Sequence, residues 1–146
     1  MIVPDINLLV YAYNESAPHH REARDWWEYL LSHEGLVGVP WAVVLGFVRL
    51  VTHRQVLVDP MPVRECCTRV AEWFERPNVQ PLEPGHRHLK VFNEFLAKVG
   101  TGGSLVTDAH IAALVVEHSC ELHSNDTDFA RFPGLKWINP LTERYK

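Results

Sequence analysis

The sequence predicts an α/β fold built on a mostly parallel sheet. Short apolar segments alternate with longer segments of helical periodicity, a pattern typical of strands that are joined by helices. Turn-forming residues separate these segments at regular intervals. The chain has 146 residues, of which 47% are hydrophobic. That length and composition support one hydrophobic core and leave too little for two.

Strand and helix signals alternate through the first half of the chain. Asp5 can cap the first helix, and Gly35 ends the second. Pro4 has no N–H, so the first strand must end there or be unpaired on that side. The predicted elements are strand Ile2–Val3, helix Ile6–Tyr13, a helix that opens at Ser16 and reaches about His33, strand Leu36–Val39, a helix from Trp41 to about His53, and a helix from Asp59 to Glu75.

The second half continues the alternation, and no repeat, low-complexity segment or linker interrupts it. We therefore expect a single domain over residues 1–141, with 142–146 as a tail. The predicted elements are strand Val79–Leu82, helix Gly85–Val99, a flexible loop Gly100–Gly103, helix Leu105–His118 capped by Ser104, strand Glu121–His123, a turn Ser124–Pro133 with a short helix Phe129–Phe132, and strand Lys136–Ile138.

Composition excludes several classes of protein. The formal charge is -4 and no Lys/Arg run occurs, which argues against a general electrostatic nucleic-acid binder. No apolar window is long enough to span a membrane, and the N-terminus lacks a basic signal region, so we expect a soluble cytoplasmic protein without a membrane partner. The three cysteines show no metal-binding spacing, and we interpret them as reduced structural thiols.

Acidic residues fall where the strands of such a sheet end. Asp5 follows the first strand, Asp126 and Asp128 follow the strand Glu121–His123, and Asp108 lies one turn into a helix. Sites of parallel α/β sheets lie at these carboxyl ends. Each residue also has a purely structural interpretation. Asp5 can be a helix N-cap, and the Asp126/Asp128 pair an Asx turn.

Asp108 shares a helix face with apolar residues, so we expect its carboxylate to be buried. It must then be protonated, paired with an arginine or a backbone cap, or bound to a metal. Carboxylates gathered at one edge repel each other unless a divalent cation lies between them. Oxygen donors without thiolates or a histidine pair favour Mg²⁺ or Mn²⁺. The turn at Asp126 lacks the glycine and distal glutamate of an EF-hand loop.

Three motifs resemble those of a PIN domain, specifically the VapC type of toxin ribonuclease. Their order, spacing and context fit, and the resemblance extends over nearly the whole chain, from about Met1 to Leu141. The motifs are Asp5-Ile6-Asn7-Leu8-Leu9, Thr107-Asp108-Ala109-His110-Ile111-Ala112-Ala113, and Asn125-Asp126-Thr127-Asp128-Phe129-Ala130-Arg131-Phe132.

The resemblance implies a three-layer α/β/α fold and a Mg²⁺- or Mn²⁺-dependent endoribonuclease. Asp5, Asp108 and an acid of the Asp126/Asp128 pair would be its catalytic and metal-binding residues, with Asp126 and Asp128 both as candidates. One or two ions would bind the scissile phosphate and lower the pKa of a bound water. Asn7 and Thr107 would position the phosphate or the oxygens that bind the ion, and Arg49 is a candidate contact to the substrate phosphate or to the acids.

The family also implies partners. Its members cut structured RNA such as transfer or ribosomal RNA, and they usually form homodimers. A small VapB-type antitoxin, whose tail crosses the active-site groove, holds them inactive in a type II toxin–antitoxin pair. The apolar helices around 41–51 and 62–74 could present surface to such a partner, although core burial explains them equally.

One departure from the family pattern is the helix that begins at Trp41. The family usually places a glutamate there, and Gly46 occupies that position. Our hypothesis is that the doubled Asp126/Asp128 supplies the missing carboxylate. The alternative is a catalytically weak or inactive PIN-like domain that binds RNA or protein. A phosphoaspartyl enzyme or receiver domain fits less well, because Lys136 follows the wrong element.

The remaining polar and aromatic residues have mainly structural interpretations. Arg49 either snorkels or pairs in the core, or it clamps a phosphate or the acidic cluster. His19 and His20 are interpreted as surface residues at a helix entry, His110 as structural, and His123 as a core or rim residue. The tryptophans are interpreted as core or interface packing rather than as base-stacking platforms. They are Trp26, Trp27, Trp41, Trp73 and Trp137.

Overall fold

A computed structural model describes residues 1–100 and 103–142. Over these residues, five strands form one sheet in the order β3-β2-β1-β4-β5, and every neighbouring pair is parallel. The predicted α/β fold with a mostly parallel sheet is therefore confirmed. The strands are β1 Ile2–Pro4, β2 Val37–Pro40, β3 Val79–Leu82, β4 Glu121–His123 and β5 Trp137–Ile138.

Helices connect the strands on both faces of the sheet. In the described part of the chain they are α1 Ile6–Tyr13, α2 His20–Ser32, α3 Trp41–Val51, α4 Val63–Phe74, α5 His88–Val99 and α6 Ser104–Glu117. α1 packs on α2 and α3, α3 packs on α4, and α5 packs on α6. All four residues of β2 are buried, as expected for a strand covered on both sides. The arrangement is the three-layer α/β/α architecture.

The strand order reverses around β1. β2 pairs with one edge of β1 and β4 with the other, although β4 comes last but one of the strands in sequence. Pro4 is directly opposite His123 in this ladder, and the next backbone amide, Asp5 N–H, donates to the His123 carbonyl at 2.9 Å. β1 therefore ends at proline, as expected. Crevices at such reversals are the usual ligand sites of open α/β sheets.

Several predicted boundaries differ from the structure: α4 begins at Val63 rather than Asp59, α5 begins at His88 rather than Gly85, and the bounds of α2, α6 and the short helix near Phe129 also shift. α2 begins at His20 rather than Ser16, because the amides of Ser16 and Ala17 bond to Asn14 and form a turn instead. The short helix predicted at Phe129–Phe132 is a 3₁₀-helix over Thr127–Arg131, which the Asp126 side chain caps.

The start of α6 also differs. The helix begins at Ser104 itself, and the cap position is Gly103 in the left-handed region (φ 65°), where a side chain would be strained. The side chain of Ser104, which we expected to be the cap, lies outside the described residues. So do two residues of the predicted loop, Thr101 and Gly102, and 143–146 of the predicted tail.

The four N-terminal helices meet in an aromatic cluster to which each contributes one ring. Phe47 and Trp73 have ring centroids 4.7 Å apart, and Trp27 meets Trp73 edge-on at 5.3 Å. Tyr13 contacts both Phe47 and Trp73, and its hydroxyl accepts the Trp73 indole N–H at 2.8 Å. Such ring pairs add stability beyond the area that they bury. This cluster is the main packing unit on that face of the sheet.

The sequence led us to expect three reduced, structural cysteines. Cys66 and Cys120 are buried, Cys67 is exposed, and all three are free thiols. Burial raises the pKa of the Cys66 thiol to about 11, which keeps it protonated.

None of the helices within the described ranges has the length and apolar character that crossing a membrane requires.

Candidate active site

Asp5 lies at the carboxyl end of β1, where the strand order reverses, and only 4% of it is exposed. Its Oδ1 accepts the Ile6 N–H at 2.7 Å, so the residue caps α1 as one interpretation of the sequence expected. Burial raises the pKa of its carboxyl to about 6, and the charge of Asp126 adds to this rise. Hydrogen bonds from Ser124 and Ile6 act in the opposite direction. Asp5 is thus both a helix cap and a buried carboxylate beside another acid.

Ser124 connects the ends of β1 and β4. It is fully buried, and its Oγ donates to Asp5 Oδ2 at 2.7 Å. The same oxygen accepts the backbone N–H of Asp126 at 2.9 Å. One hydroxyl therefore holds the Asp5 carboxylate and the start of the acidic turn at a fixed spacing.

The turn after β4 carries the second pair of acids. Asp126 Oδ1 accepts the Asp128 N–H at 2.9 Å, which is the Asx turn that the sequence allowed. Asp128 also pairs with Arg131 at 3.6 Å, with both side chains about half exposed. The turn is closed further by Asn139, which donates to Asn125 at 2.9 Å. Asp126 and Asp128 are both half-buried, so their carboxylates remain open to solvent at one side.

Asp108 reaches the same place from α6. Burial raises the pKa of its carboxyl to about 7, and the charges of Asp5, Asp126 and Asp128 each raise it further. Every charge that shifts this pKa is thus another carboxylate, and none is an arginine. The residue is half-buried rather than buried as expected. The four predicted acids, from three separate segments of the chain, are close enough for their charges to interact.

The chemistry of this donor set fits a hard divalent cation. All of its side-chain donors are carboxylate or hydroxyl oxygens, and the mutual repulsion of the acids is what a dication would relieve. Among residues 1–100 and 103–142, however, no three acidic, histidine or cysteine side chains converge into a ready-made metal-binding group.

The other predicted site residues lie in different surroundings. Asn7 is half-buried in the first turn of α1, two residues from Asp5. Thr107 is exposed and lines an apolar cleft, because adjacent helix residues point about 100° apart and Asp108 takes the direction of the acids. Arg49 is exposed on α3, so it does not pair inside the core. The roles of these three residues remain predictions.

Gly46 occupies the α3 position where the family pattern led us to expect an acid. It is buried against the residue that follows Asp5, Ile6. A Cβ at Gly46 would lie 2.5 Å from Ile6 Cδ1 and 3.0 Å from Cγ1. α1 and α3 therefore approach each other closely because Gly46 has no side chain. Ile6 fills the space that an acid at this position would use.

Sequence reasoning missed Ser124 as a functional residue. The signal available was a small hydroxyl side chain directly after a predicted strand. Its meaning depends on the pairing of Pro4 with His123, which brings residues 119 positions apart into contact. His123, left open as core or rim, is fully buried, and His110 bonds to His88 at 2.9 Å as a structural residue.

The fold and the site together define a class of protein: three-layer α/β domains with carboxylates gathered at the point where a parallel sheet reverses its strand order. The model of one family, described as the PIN domain, matches residues 2–135. The chain belongs to the PIN domain family, as the three motifs indicated.

The relatives of the chain are VapC proteins. Ribonuclease VapC33 of Mycobacterium tuberculosis is 43% identical over 143 residues, which cover 98% of this chain and all of that protein. The crystal structure of M. tuberculosis VapC20, described as a sarcin-ricin loop cleaving toxin, is 16% identical and matches with a TM-score of 0.70, covering 96% of this chain and 100% of that one. VapBC2 of Rickettsia felis, solved with a fragment of promoter DNA, is 17% identical and matches with a TM-score of 0.68 over 95% of this chain and 98% of that one.

Proposed function

We propose that this chain is a Mg²⁺-dependent endoribonuclease and the toxin of a type II toxin–antitoxin pair. The observation that carries the proposal is the gathering of Asp5, Asp108, Asp126 and Asp128 at the strand-order reversal, where burial and, after it, the charges of the neighbouring acids raise the pKa values of Asp5 and Asp108. The 43% identity with a ribonuclease over almost the full chain supports the same activity.

In this proposal the four carboxylates hold the ion and, through it, the scissile phosphate. Mg²⁺, when bound, supplies Lewis-acid stabilisation of the phosphate and a bound water of lowered pKa. Ser124 keeps the Asp5 carboxylate oriented, since its hydroxyl donates to Oδ2. The cap bond from Ile6 leaves that carboxylate no freedom to rotate away. Without a dication the acidic edge repels RNA, so substrate binding and ion binding are coupled.

The decisive experiment replaces single carboxylates by amides of the same shape. Asp5→Asn and Asp108→Asn are each expected to reduce RNA cleavage to background while the far-ultraviolet circular dichroism stays unchanged. Asp25→Asn is the matched control, because Asp25 is exposed on α2 and bonds only to the neighbouring Arg24 among the contacts described. Full activity in either site variant, or in excess EDTA, would refute the mechanism.

The Asp126/Asp128 pair is proposed to replace the carboxylate that Gly46 lacks. Mn²⁺ binding by Asp126→Ala and Asp128→Ala, measured calorimetrically, tests this. We expect both variants to bind more weakly, and Asp126→Ala the more so, because Asp126 interacts electrostatically with both Asp5 and Asp108. Wild-type affinity in both variants would rule out the compensation.

A second candidate function is a catalytically weak PIN-like domain that binds RNA or protein. The observation that favours it is Gly46, whose position is closed to an acid by Ile6. A Mn²⁺ titration followed by a nuclease assay separates the two functions. The enzyme binds the ion and cleaves RNA, whereas the binding module retains RNA without producing new ends.

The substrate and the regulatory partner follow from the relatives. We propose a structured RNA, transfer or ribosomal, as the substrate, and a small VapB-type antitoxin as the inhibitor, both in the cytoplasm. Sequencing of RNA ends after induced expression, with Asp5→Asn alongside, identifies the target. Specific ends that are absent from the variant are the expected result, and identical ends in both samples would contradict it.

We also propose a homodimer, in which a second copy of the chain covers an apolar cleft of about 420 Å³. Leu89, Phe92 and Val106 line the cleft together with Ala42. Leu45 lies on the same face of α3 as Ala42, and Leu45 and Leu89 are 65% and 68% exposed. Continuous exposed apolar surface of this kind usually marks an interface.

Sedimentation velocity tests the dimer. Leu89→Glu and Leu45→Glu are expected to sediment as monomers. Val58→Glu is the control, because it changes an apolar residue that is even more exposed, at 87%, but lies outside the cleft. This variant should remain a dimer. A wild-type protein that sediments as a monomer would contradict the proposal.

A further inference from the structure

A chain of polar contacts crosses the buried end of β4 beside the acidic site. The Trp26 indole N–H, on α2, donates to His123 Nδ1 at 3.0 Å, and His123 Nε2 lies 2.8 Å from Glu121 Oε1. Lys136, next to β5, pairs with the other oxygen of Glu121. His123 is fully buried and Trp26 is 3% exposed, so this chain runs from the protein interior to an exposed lysine.

The direction of the hydrogen bonds fixes the state of His123. An indole nitrogen can only donate, so Nδ1 must carry a lone pair, and the imidazole proton lies on Nε2. Nε2–H then donates to Glu121. Both ring nitrogens are engaged, and the ring cannot turn without losing a bond at each end. Buried polar groups that are fully satisfied in this way hold their surroundings in one arrangement.

The backbone of His123 helps to set the spacing between Asp5 and Asp126. The His123 carbonyl accepts the Asp5 N–H at 2.9 Å, and Ser124, the next residue, binds the Asp5 carboxylate and the Asp126 amide. A second tryptophan fixes this segment from the other side, because the Trp137 indole N–H donates to the Ser124 carbonyl at 3.0 Å. Hydrogen bonds thus fix the end of β4 on both sides. The same segment binds two of the four acids, Asp5 and Asp126.

We propose that His123 is a positioning residue for the nuclease site. Held by Trp26 and Glu121, it fixes the end of β4, so that Ser124 keeps Asp5 and Asp126 at the spacing that ion binding needs. This inference rests on the proposed function. A core histidine that only fills space would contribute packing and leave the mobility of the site unchanged.

The first test removes one hydrogen-bond donor and keeps the aromatic ring. Trp26→Phe deletes the N–H that fixes His123. Trp27→Phe is the matched control, since Trp27 is the next residue on the same helix and is equally buried, at 2% exposed. Its ring packs against Trp26 and Trp73, but the donor to His123 is the indole N–H of Trp26. Hydrogen exchange of the Asp5 and Asp126 amides is measured by NMR and referred to the core amide of Ile111 in the same sample, so that a general loss of stability cancels.

We expect exchange at Asp5 to become about tenfold faster in Trp26→Phe and to stay unchanged in Trp27→Phe. The Mn²⁺ affinity of Trp26→Phe should fall several-fold. At saturating Mn²⁺, its kcat for RNA cleavage should fall while KM is preserved, because the ion site is then filled and the RNA contacts are not altered. Equal exchange rates and equal Mn²⁺ affinities in the two variants would overturn the inference.

The second test acts at Glu121, which is nearer the surface and less prone to unfold the domain. Glu121→Leu removes the acceptor for His123 Nε2–H, whereas Glu121→Gln keeps an acceptor oxygen. We expect the leucine variant to reproduce the effect of Trp26→Phe and the glutamine variant to restore near wild-type exchange and Mn²⁺ affinity. A leucine variant that behaves as wild type would also overturn the inference.

The two proposals fail differently. A wild-type protein that neither binds Mn²⁺ nor cleaves RNA would refute the nuclease function. Unchanged exchange at Asp5 in either Trp26→Phe or Glu121→Leu would refute the positioning role even if the wild-type protein is an active nuclease.

Discussion

Two regions of this protein, joined by the contact of Ile6 with Gly46, are built on opposite principles. The aromatic cluster on α1–α4 consists of closely packed rings, and its hydroxyl, on Tyr13, accepts an indole N–H. The acidic edge between β1 and β4 instead gathers carboxylates whose pKa values rise to about 6 and about 7. The first region lowers the energy of the folded state, and the second raises it.

The comparison indicates that packing elsewhere in the fold offsets the electrostatic repulsion between the acids of the site. Acids that repel each other at a sheet edge destabilise the protein in the absence of a cation, and such unfavourable clusters persist only where the surrounding fold over-determines them. The aromatic cluster is part of that surrounding fold. Ile6, beside Asp5, touches Gly46, beside Phe47, so the two regions share one helix–helix contact.

The largest expected effect belongs to the aromatic cluster. Phe47→Ala should reduce the free energy of unfolding by about 3–5 kcal/mol, because it leaves a cavity among rings that cannot collapse. Urea unfolding followed by tryptophan fluorescence measures the loss. A change below about 1 kcal/mol would contradict the assignment of this cluster as the main packing unit.

Adding the ion should reverse the penalty of the acidic edge. Mn²⁺ at 100 times its Kd should raise the free energy of unfolding by about 2.7 kcal/mol in wild type, by mass action. Asp108→Asn should gain much less at the same concentration. Thermal unfolding with and without Mn²⁺ and EDTA measures both values, and equal gains in the two proteins would place the ion elsewhere.

Asp108→Asn should stabilise the metal-free protein. The folded state raises the pKa of this carboxyl from 3.8 to about 7, so the folded protein binds the proton more tightly than the unfolded chain. Stability is therefore lost as pH rises from about 4 to 7. The full shift is discounted because Asp108 is half exposed to screening solvent, which leaves about 1–2 kcal/mol at pH 8.

Urea unfolding of the metal-free proteins in EDTA, at pH 4 and at pH 8, checks this difference. The asparagine variant should be the more stable at pH 8, and the two proteins should differ much less at pH 4, where the acid is protonated in the folded protein and close to half protonated in the unfolded chain. Asp25→Asn, on exposed α2, should show no such pH dependence. If the stability of the wild-type protein relative to Asp108→Asn increased between pH 4 and pH 8, the repulsion inferred at Asp108 would be contradicted.

The smallest effect concerns the contact that joins the two regions. Gly46→Ala gains about 1 kcal/mol of helix propensity but places a Cβ 2.5 Å from Ile6 Cδ1, and overpacking of this kind costs about 1–3 kcal/mol. We expect a net loss of about 1 kcal/mol by urea unfolding. In an Ile6→Val background, which lacks Cδ1, the same substitution should become neutral or stabilising, and an equal loss in both backgrounds would contradict the close approach.

Local patterns were sufficient to predict much of the fold. The bounds of α1, β3 and β4 agree with the sequence because each is set by neighbouring residues, such as the cap Asp5 before α1. The start of α2 was wrong because Asn14 competes for the amides of the preceding turn. That competition depends on the backbone at the end of α1, which periodicity does not report.

The acids of the site were also predictable, since each follows a strand or begins a helix. Ser124 was not, because its role exists only once Pro4 and His123 are paired across the sheet. The direction of Thr107 was equally hidden, since one residue of helix turns it away from Asp108 and into the apolar cleft. Long-range register and side-chain direction are what the sequence does not display.

The pairing of β1 with β4 has a consequence for how the protein is made. Asp5 leaves the ribosome early, and its partner Ser124 is translated 119 residues later. Until β4 has emerged and docked beside β1, the growing chain has no assembled carboxylate pocket. In the proposed nuclease, the catalytic pocket would therefore form only near the end of each round of translation.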